Sequence, residues 1–274
     1  MLSTESSNML DKSYLNQAEL LIKDYVSADL FVVYTSIIIG IFACKTVYEL
    51  SQLISPIYFK SYHNLTKGLQ LEWSNRVMST FHAMYIATVS LYFVLWSDLF
   101  NNDPQRGPVT LRSSTASISA LGASVGYFLS DLSMIIWRYP SLGGMEYVVH
   151  HLLSLASVSY AMLTGEAQMY TYMVLISEAT TPSINLRWYL DAAGMKRSKA
   201  YTINGVLIFL SWLVARILLF IYLFWHSYIY YDEVKRMHEI GVVMMHVVPL
   251  VLSVMNLFWF SKIFKGMVKT LKRE

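Results

Sequence analysis

Seven apolar stretches, each near the length of a membrane-crossing helix, dominate the chain at about 30–54, 77–98, 116–137, 146–163, 169–189, 204–228 and 241–262. A helix rises 1.5 Å per residue, so about 20 apolar residues cross the ~30 Å hydrocarbon layer of a bilayer. Inside that layer a lipid-exposed loop or an open sheet edge cannot satisfy its backbone polar groups. The pattern therefore predicts an all-α, polytopic membrane helix bundle of about seven transmembrane helices. Composition agrees, with 55% of the 274 residues hydrophobic and 14% charged, against roughly 25% charged in a soluble domain. That much apolar surface excludes a water-soluble enzyme and a disordered chain. The net charge of +3 is too small for a nucleic-acid-binding surface. Cys44, the single cysteine, excludes a disulfide framework and a cysteine-based zinc site.

The first span, from Leu30, is expected to stop before Pro56, and the second to end near Asp98, ahead of the breakers Asn101-Asn102-Asp103-Pro104 and Gly107-Pro108. The third is rich in Ser, Gly and Ala between Ser117 and Gly126. Small residues let helices approach closely in lipid, which places this segment inside the bundle. A turn around Thr164-Gly165-Glu166 joins the fourth and fifth stretches, and the fifth reads as a bent span or as a re-entrant segment. Residues 1–29 lack the basic start and short apolar centre of a cleavable signal. Tyr14 to Val26 reads either as a short interfacial amphipathic helix or as a frayed polar tail.

Basic residues set the expected orientation. Six lie on the side of the N-terminus (Lys12, Lys23, Arg106, Arg112, Lys235 and Arg236), thirteen lie on the other side, and Lys45 and Arg216 fall within spans. The N-terminus is therefore expected to be lumenal and the C-terminus cytosolic. The sequon Asn64-Leu65-Thr66 then falls in a cytosolic loop and stays unmodified. The tail from Lys262 to Arg273 interleaves five basic residues with apolar ones. It reads as an amphipathic foot on an anionic leaflet or as an ordinary basic flank.

An ionisable group at membrane depth costs about 2.5–3.5 kcal/mol on insertion scales, so each one asks for a reason. His82, Asp131, the pair His150-His151, Glu178, Asn185 and Arg216 all count to one half of the membrane, from spans two to six. If they face inward, they line a polar cavity open to the cytosol. Each also has a plain structural reading. His82 can bond a backbone carbonyl, Asp131 can pair with Arg138, and Arg216 with Glu178 forms a natural buried ion pair that fixes helix register. Adjacent residues on a helix project about 100° apart, so only one of His150 and His151 is expected to reach the cavity. Pro182 cannot donate to the carbonyl of Glu178, which predicts a bend there and a freed backbone acceptor. Pro249 acts likewise on Met245, while His246 lies in the opposite leaflet. No pair of histidines four residues apart, no Gly-x-Ser-x-Gly elbow and no phosphate-cradling glycine loop occurs, so neither a metal nor a cofactor is expected.

Glu72-Trp73-Ser74-Asn75-Arg76-Val77-Met78-Ser79-Thr80-Phe81-His82, Gly126-Tyr127-Phe128-Leu129-Ser130-Asp131-Leu132, His150-His151, Glu178 through Pro182, Asn185 to Arg187-Trp188, Asn204-Gly205, Arg216 and Met255-Asn256 together resemble the TLC domain family, and within it the transmembrane protein 56 branch. The resemblance covers a TLC domain at about 70–265; with the spans and charges read above, a lumenal segment (1–29) and a first span with a cytosolic loop (30–69) precede it and a basic tail (266–274) follows. It implies an endoplasmic-reticulum membrane protein concerned with lipids. Some members are ceramide synthases, whose motif opens with a histidine pair similar to His150-His151. They carry a His-Asp element where this chain has Ser177-Glu178, so ceramide synthesis is not implied; the chain looks more like members described as regulators of membrane lipid composition.

Two functional expectations follow. In the first, a lipid-homeostasis protein binds a membrane lipid or acyl chain, its headgroup held by His82, Asp131, Glu178, Asn185 and Arg216. In the second, an acyltransferase uses His150 or His151 as its catalytic residue, oriented by Asp131 or Glu178. Acyl-CoA would then enter from the cytosol, its phosphates met by Arg76, Arg187 or Lys196. A seven-span receptor is disfavoured by the lone cysteine, and a transporter by the lack of an internal repeat.

Overall fold

The computed structural model describes residues 28–101 and 103–271, and every regular element among them is helical. Helix α1 spans Leu30–Tyr58, α2 Lys67–Leu91 with a wider turn to Trp96, α3 Thr115–Trp137 and α4 Met145–Thr164. Helix α5, Gln168–Ile176, passes through a tighter step at Ser177–Thr180 into α6, Thr181–Ala192. Helix α7, Lys199–Trp212, widens over Leu213–Leu218 and continues as α8, Leu219–Ile229. A single turn, α9 (Tyr231–Val234), precedes the long α10, Glu239–Leu271.

The chain is an all-α, polytopic membrane helix bundle. Five continuous helical runs are long and apolar enough to cross a bilayer: Leu30–Tyr58, Lys67–Trp96, Thr115–Trp137, Lys199–Ile229 and Glu239–Lys269. The stretches predicted at 146–163 and 169–189 form α4 and the α5–α6 segment, which are helical but not among those five. The reading at Tyr14 to Val26 lies outside the described residues, as does the end of the basic tail.

Helices α2, α3, α4, α10, α7 and α6 each pack against the next, and α6 returns to α2, so six elements close a ring. Helix α1 lies outside it, chiefly against α3. In lipid there is little hydrophobic drive between helices, so contact depends on close packing. The small-residue segment supplies it: a Cβ on Gly40 would stand 2.3 Å from the Ala123 carbonyl oxygen, and one on Gly126 2.5 Å from that of Ile37. The helices therefore touch backbone to backbone, as the Ser/Gly/Ala content of α3 predicts. Its N-terminus is closed by a reciprocal box in which Ser114 and Ser117 each accept the other's backbone N–H.

The first span does not stop before Pro56. Helix α1 carries this proline through to Tyr58, because so near the end it removes a single ladder bond. The Phe59 N–H still reaches the Ser55 carbonyl at 3.0 Å, and His63 Nε2 donates to the Pro56 carbonyl at 2.8 Å.

At the end of the ring away from Arg76 and Lys262, three side chains tie the loops down. Arg112 donates to the carbonyls of Gly107, Leu99, Asn101 and Asp103. The buried carboxylate of Glu166 accepts from the His238 backbone at 3.1 Å, its ring Nδ1 at 2.7 Å and the Tyr160 hydroxyl, joining the α4–α5 turn to the start of α10. Glu233 accepts from the Val109 N–H at 2.7 Å. These contacts hold the far end of the ring shut.

Candidate functional site

The opposite end of the ring is open. A cavity with an empty volume of about 1290 Å³, its mouth included, is lined from α2, α3, α4, the α5–α6 step, α6, α7 and α10. Asp131, His150, His151, Glu178, Asn185 and Arg216 all face it. The sequence reading therefore brings six of its seven residues to one cavity.

Asp131 is held from three sides. Its Oδ1 accepts from Asn75 Nδ2 at 2.6 Å, and its Oδ2 lies 2.7 Å from His151 Nε2 and 3.3 Å from the Tyr127 hydroxyl. It does not pair with Arg138, whose guanidinium lies over the Trp137 ring at 4.6 Å, on the outer face of the bundle. The other ring nitrogen of His151, Nδ1, lies 2.9 Å from the Tyr147 carbonyl oxygen. A carbonyl only accepts, so Nδ1 carries a proton; Nε2 then meets a carboxylate oxygen, and a hydrogen bond there needs a second proton, on the ring or on the acid. The pair His151–Asp131 thus holds one more proton than a neutral imidazole beside a carboxylic anion would.

Glu178 and Arg216 form the buried pair that their depths predict, but loosely. Arg216 Nη2 lies 3.5 Å from Glu178 Oε1, while Nε donates to Thr180 Oγ1 at 2.9 Å and Nη1 to Asn256 Oδ1 at 3.3 Å, with the Trp212 ring 4.6 Å away. Neutral acceptors hold the guanidinium in place, which leaves the carboxylate turned partly to the cavity. The expected free acceptor beside it does not exist. Where Pro182 withholds its N–H, the backbone tightens over Ser177–Thr180 and the Thr181 N–H takes the Glu178 carbonyl instead. Nearer the mouth, Arg76 is bound to Glu72 at 2.7 Å and donates to Asn185 Oδ1 at 2.9 Å; the Asn185 amide returns bonds to the Arg76 carbonyl and to Thr80 Oγ1.

Both histidines of the pair line the cavity, because it wraps around the first turns of α4; their ring centroids are 5.4 Å apart. They differ in chemistry. His151 is bonded at both nitrogens, whereas His150 Nδ1 is buried without a hydrogen-bond partner, its ring edge-on to Trp259 at 5.7 Å. His82 is the residue that does not reach the cavity. It stacks on Tyr127 at 3.7 Å and is shielded by that ring, with both nitrogens buried and without a hydrogen-bond partner, rather than bonding a carbonyl. Lys196, on the loop after α6, is bound to Asp191 at 2.7 Å and does not line the cavity. Among the described residues no group of three His, Cys, Asp or Glu is placed to hold a metal ion.

Counting ionisable groups by depth passes over part of this wall, although Asn75, Tyr127 and Asn256 stand in the stretches that carry the family resemblance. Asn75 precedes the second apolar stretch and Asn256 sits in the last one; each bonds a site residue, and a search for polar positions at helix edges finds the first. Trp212, Trp259 and Tyr127 carry no periodic signal, since apolar walls and lipid-facing surface use the same residue types.

Comparison with known proteins reports on the same region. The family model of the TLC domain matches residues 72–265. TLC domain-containing protein 4-B of Xenopus laevis is 31% identical over 221 residues, 77% of this chain and 79% of that protein. TLC domain-containing protein 4 of Homo sapiens is 29% identical over 227 residues, covering 82% and 83% respectively. The match runs from 72 to 265, so every residue that lines the cavity, from Glu72 to Ile263, falls within it.

Proposed function

The chain belongs to the TLC domain family, and from that premise we propose that it binds a membrane lipid, in a role in membrane lipid homeostasis. The polar part of the ligand meets His150, Glu178 and Arg216, and its acyl chains follow the aromatic and aliphatic walls. The observation that carries this reading is the cavity: a hollow ringed by six helices, about 1290 Å³ with its open mouth, apolar over most of its surface and with a few convergent polar groups. Ligand sites have that composition. His150 Nδ1 supplies an unused polar contact there. The basic-residue asymmetry supports a mouth on the cytosolic side and a lumenal N-terminus, and the family resemblance supports a location in the endoplasmic reticulum.

The test is lipid recovery from the full-length chain purified in detergent. Lipid is expected to co-purify with the wild type and to fall at least tenfold in Ile208→Trp, which fills the cavity from α7. Equal recovery from both, with unchanged thermal stability, overturns the reading.

One observation favours a second reading, acyl transfer. His150 presents an unbonded nitrogen next to the proton-holding His151–Asp131 pair. In that reading His150 attacks an acyl thioester, the C–S bond breaks as the N–C bond forms, and the departing thiolate takes up a proton. Incubation with radiolabelled palmitoyl-CoA decides it: label retained on the wild type and lost in His150→Ala supports transfer, and unlabelled protein with no acylated lipid product overturns it.

A further inference from the structure

Every carboxylate lining the cavity already has its cation: Glu72 has Arg76, Asp131 has His151 and Glu178 has Arg216. Two cations in the lining are left over. Arg187 and Lys262 form no ion pair among the described residues; each lies against an aromatic ring, Tyr201 at 4.1 Å and Phe258 at 4.1 Å. The same two side chains also line a second hollow, an opening of about 660 Å³ between α7 and α10. Its other walls are apolar apart from Thr202, and the outer faces of the two helices around it, at Ile203, Leu207, Leu210 and Phe264, are exposed apolar surface. The hollow thus opens beside exposed apolar surface on its outer side, at the ends of the two spans expected to be cytosolic, and shares Arg187, Ile208, Lys262 and Ile263 with the cavity on its inner side, with two uncompensated positive charges where they meet.

We propose that this crevice is the lateral entry for the ligand and that Arg187 and Lys262 bind its phosphate, so that the ligand is an anionic glycerophospholipid. The inference rests on the lipid-binding reading above and narrows it to a chemical class. A phosphate supplies the missing negative charge, and Arg and Lys are the side chains that meet it, one as a planar fork and one as a point charge. The apolar mouth favours an amphiphile that is already in the bilayer over a nucleotide-linked carrier arriving from water. Glycine gives Arg187 its room: a Cβ on Gly205 would meet Arg187 Nη1 at 2.8 Å, while one on Gly266 would enter open space with nothing within 4 Å.

Binding of short-chain phosphatidic acid, the matching diacylglycerol and coenzyme A to the full-length protein in detergent tests the assignment. The wild type is expected to prefer phosphatidic acid over diacylglycerol by at least tenfold, the factor equivalent to one charge-assisted hydrogen bond. In the double variant Arg187→Gln, Lys262→Gln that preference is expected to vanish while diacylglycerol binding is retained. Gly266→Leu, whose side chain enters empty space, is expected to slow uptake from phospholipid nanodiscs by at least tenfold without lowering thermal stability. If diacylglycerol and phosphatidic acid bind equally to the wild type, the phosphate assignment fails and the lipid-binding reading stands. If neither binds, both fail. Coenzyme A binding that depends on Arg187 and Lys262, without phosphatidic acid binding, overturns the lipid assignment in favour of a carrier.

Discussion

The hydrogen-bond geometry of Asp131 makes an asymmetric prediction for two substitutions, one isosteric and one that removes the polar group. In Asp131→Asn the Oδ1 position still accepts from Asn75, and the new amide donates to His151 Nε2, which becomes the acceptor while Nδ1 keeps its bond to the Tyr147 carbonyl. Only the long bond from the Tyr127 hydroxyl, 3.3 Å, loses its acceptor, at a cost of about 1 kcal/mol. Asp131→Ala instead leaves the Asn75 amide and the His151 ring buried without partners, and breaking a buried pair by removing one member costs roughly 3–5 kcal/mol. Both side chains are buried, so water does not rescue them. Thermal unfolding of the full chain in detergent reads the difference. At roughly 2–4 °C per kcal/mol, Asp131→Asn is expected to lower Tm by a few degrees and Asp131→Ala by about three times as much or more. A second readout is independent of stability: Asp131→Asn removes the shared proton, so the imidazole NMR signals of His151 report a neutral ring. Equal destabilisation by the two substitutions would refute the proton count on which the description of the site depends.

At the seam between α1 and α3, Gly126→Leu forces apart two backbones that a Cβ would approach to 2.5 Å, and is expected to cost about 3 kcal/mol. Gly68→Ala, whose nearest atom is Thr66 Oγ1 at 4.0 Å, is expected to be neutral or stabilising by about 0.5–1 kcal/mol in the same unfolding assay. Arg112→Met strips the donors from four loop carbonyls and is expected to destabilise by about 3 kcal/mol or more. Arg112→Lys keeps the charge without the fork and falls between; limited proteolysis in the 99–106 loop ranks the three proteins. In microsomes Asn64 is expected to remain unglycosylated, while Pro104→Thr, which creates a sequon at Asn102, is expected to add one glycan; the reverse result inverts the orientation.

The fold is legible because the bilayer reduces it to two questions, where the apolar stretches lie and which segment can be crowded. The answer to the second is written in Gly122, Gly126 and the serines of α3, since only residues without bulk allow the contact that Gly40 makes with the Ala123 carbonyl. Boundaries are less legible. Pro56 reads as a stop, yet a proline two residues from a helix end removes little, and the helix goes through it. Pro182 reads as a kink with an empty acceptor, yet a backbone can tighten by one residue and satisfy the Glu178 carbonyl from Thr181. Local rules name the residue under stress; they do not say which of two relaxations the surrounding helices allow.

The site is legible to the depth at which polarity is costly. Charged and imidazole groups in apolar stretches are rare enough that finding them at one depth on several spans already implies a common hollow, and Asp131, His150, His151, Glu178, Asn185 and Arg216 meet in one. The same cost argument does not rank them. His82 has the same depth and type as the others, and nothing in its neighbours in sequence says that Tyr127 from another helix will stack across it at 3.7 Å. Nor does it say which of two adjacent histidines will be bonded on both sides and which left open. That distinction comes from pairings between helices, from Asp131 to His151 and from Trp259 to His150, which lie far apart in the chain. The same holds for charge: thirteen basic residues on one side set an expected orientation, but only the partner of each carboxylate shows that Arg187 and Lys262 are the two cations in the lining without a carboxylate. A chemical reading of such a protein therefore depends on subtraction, first of the groups that lipid would punish and then of those that already satisfy one another.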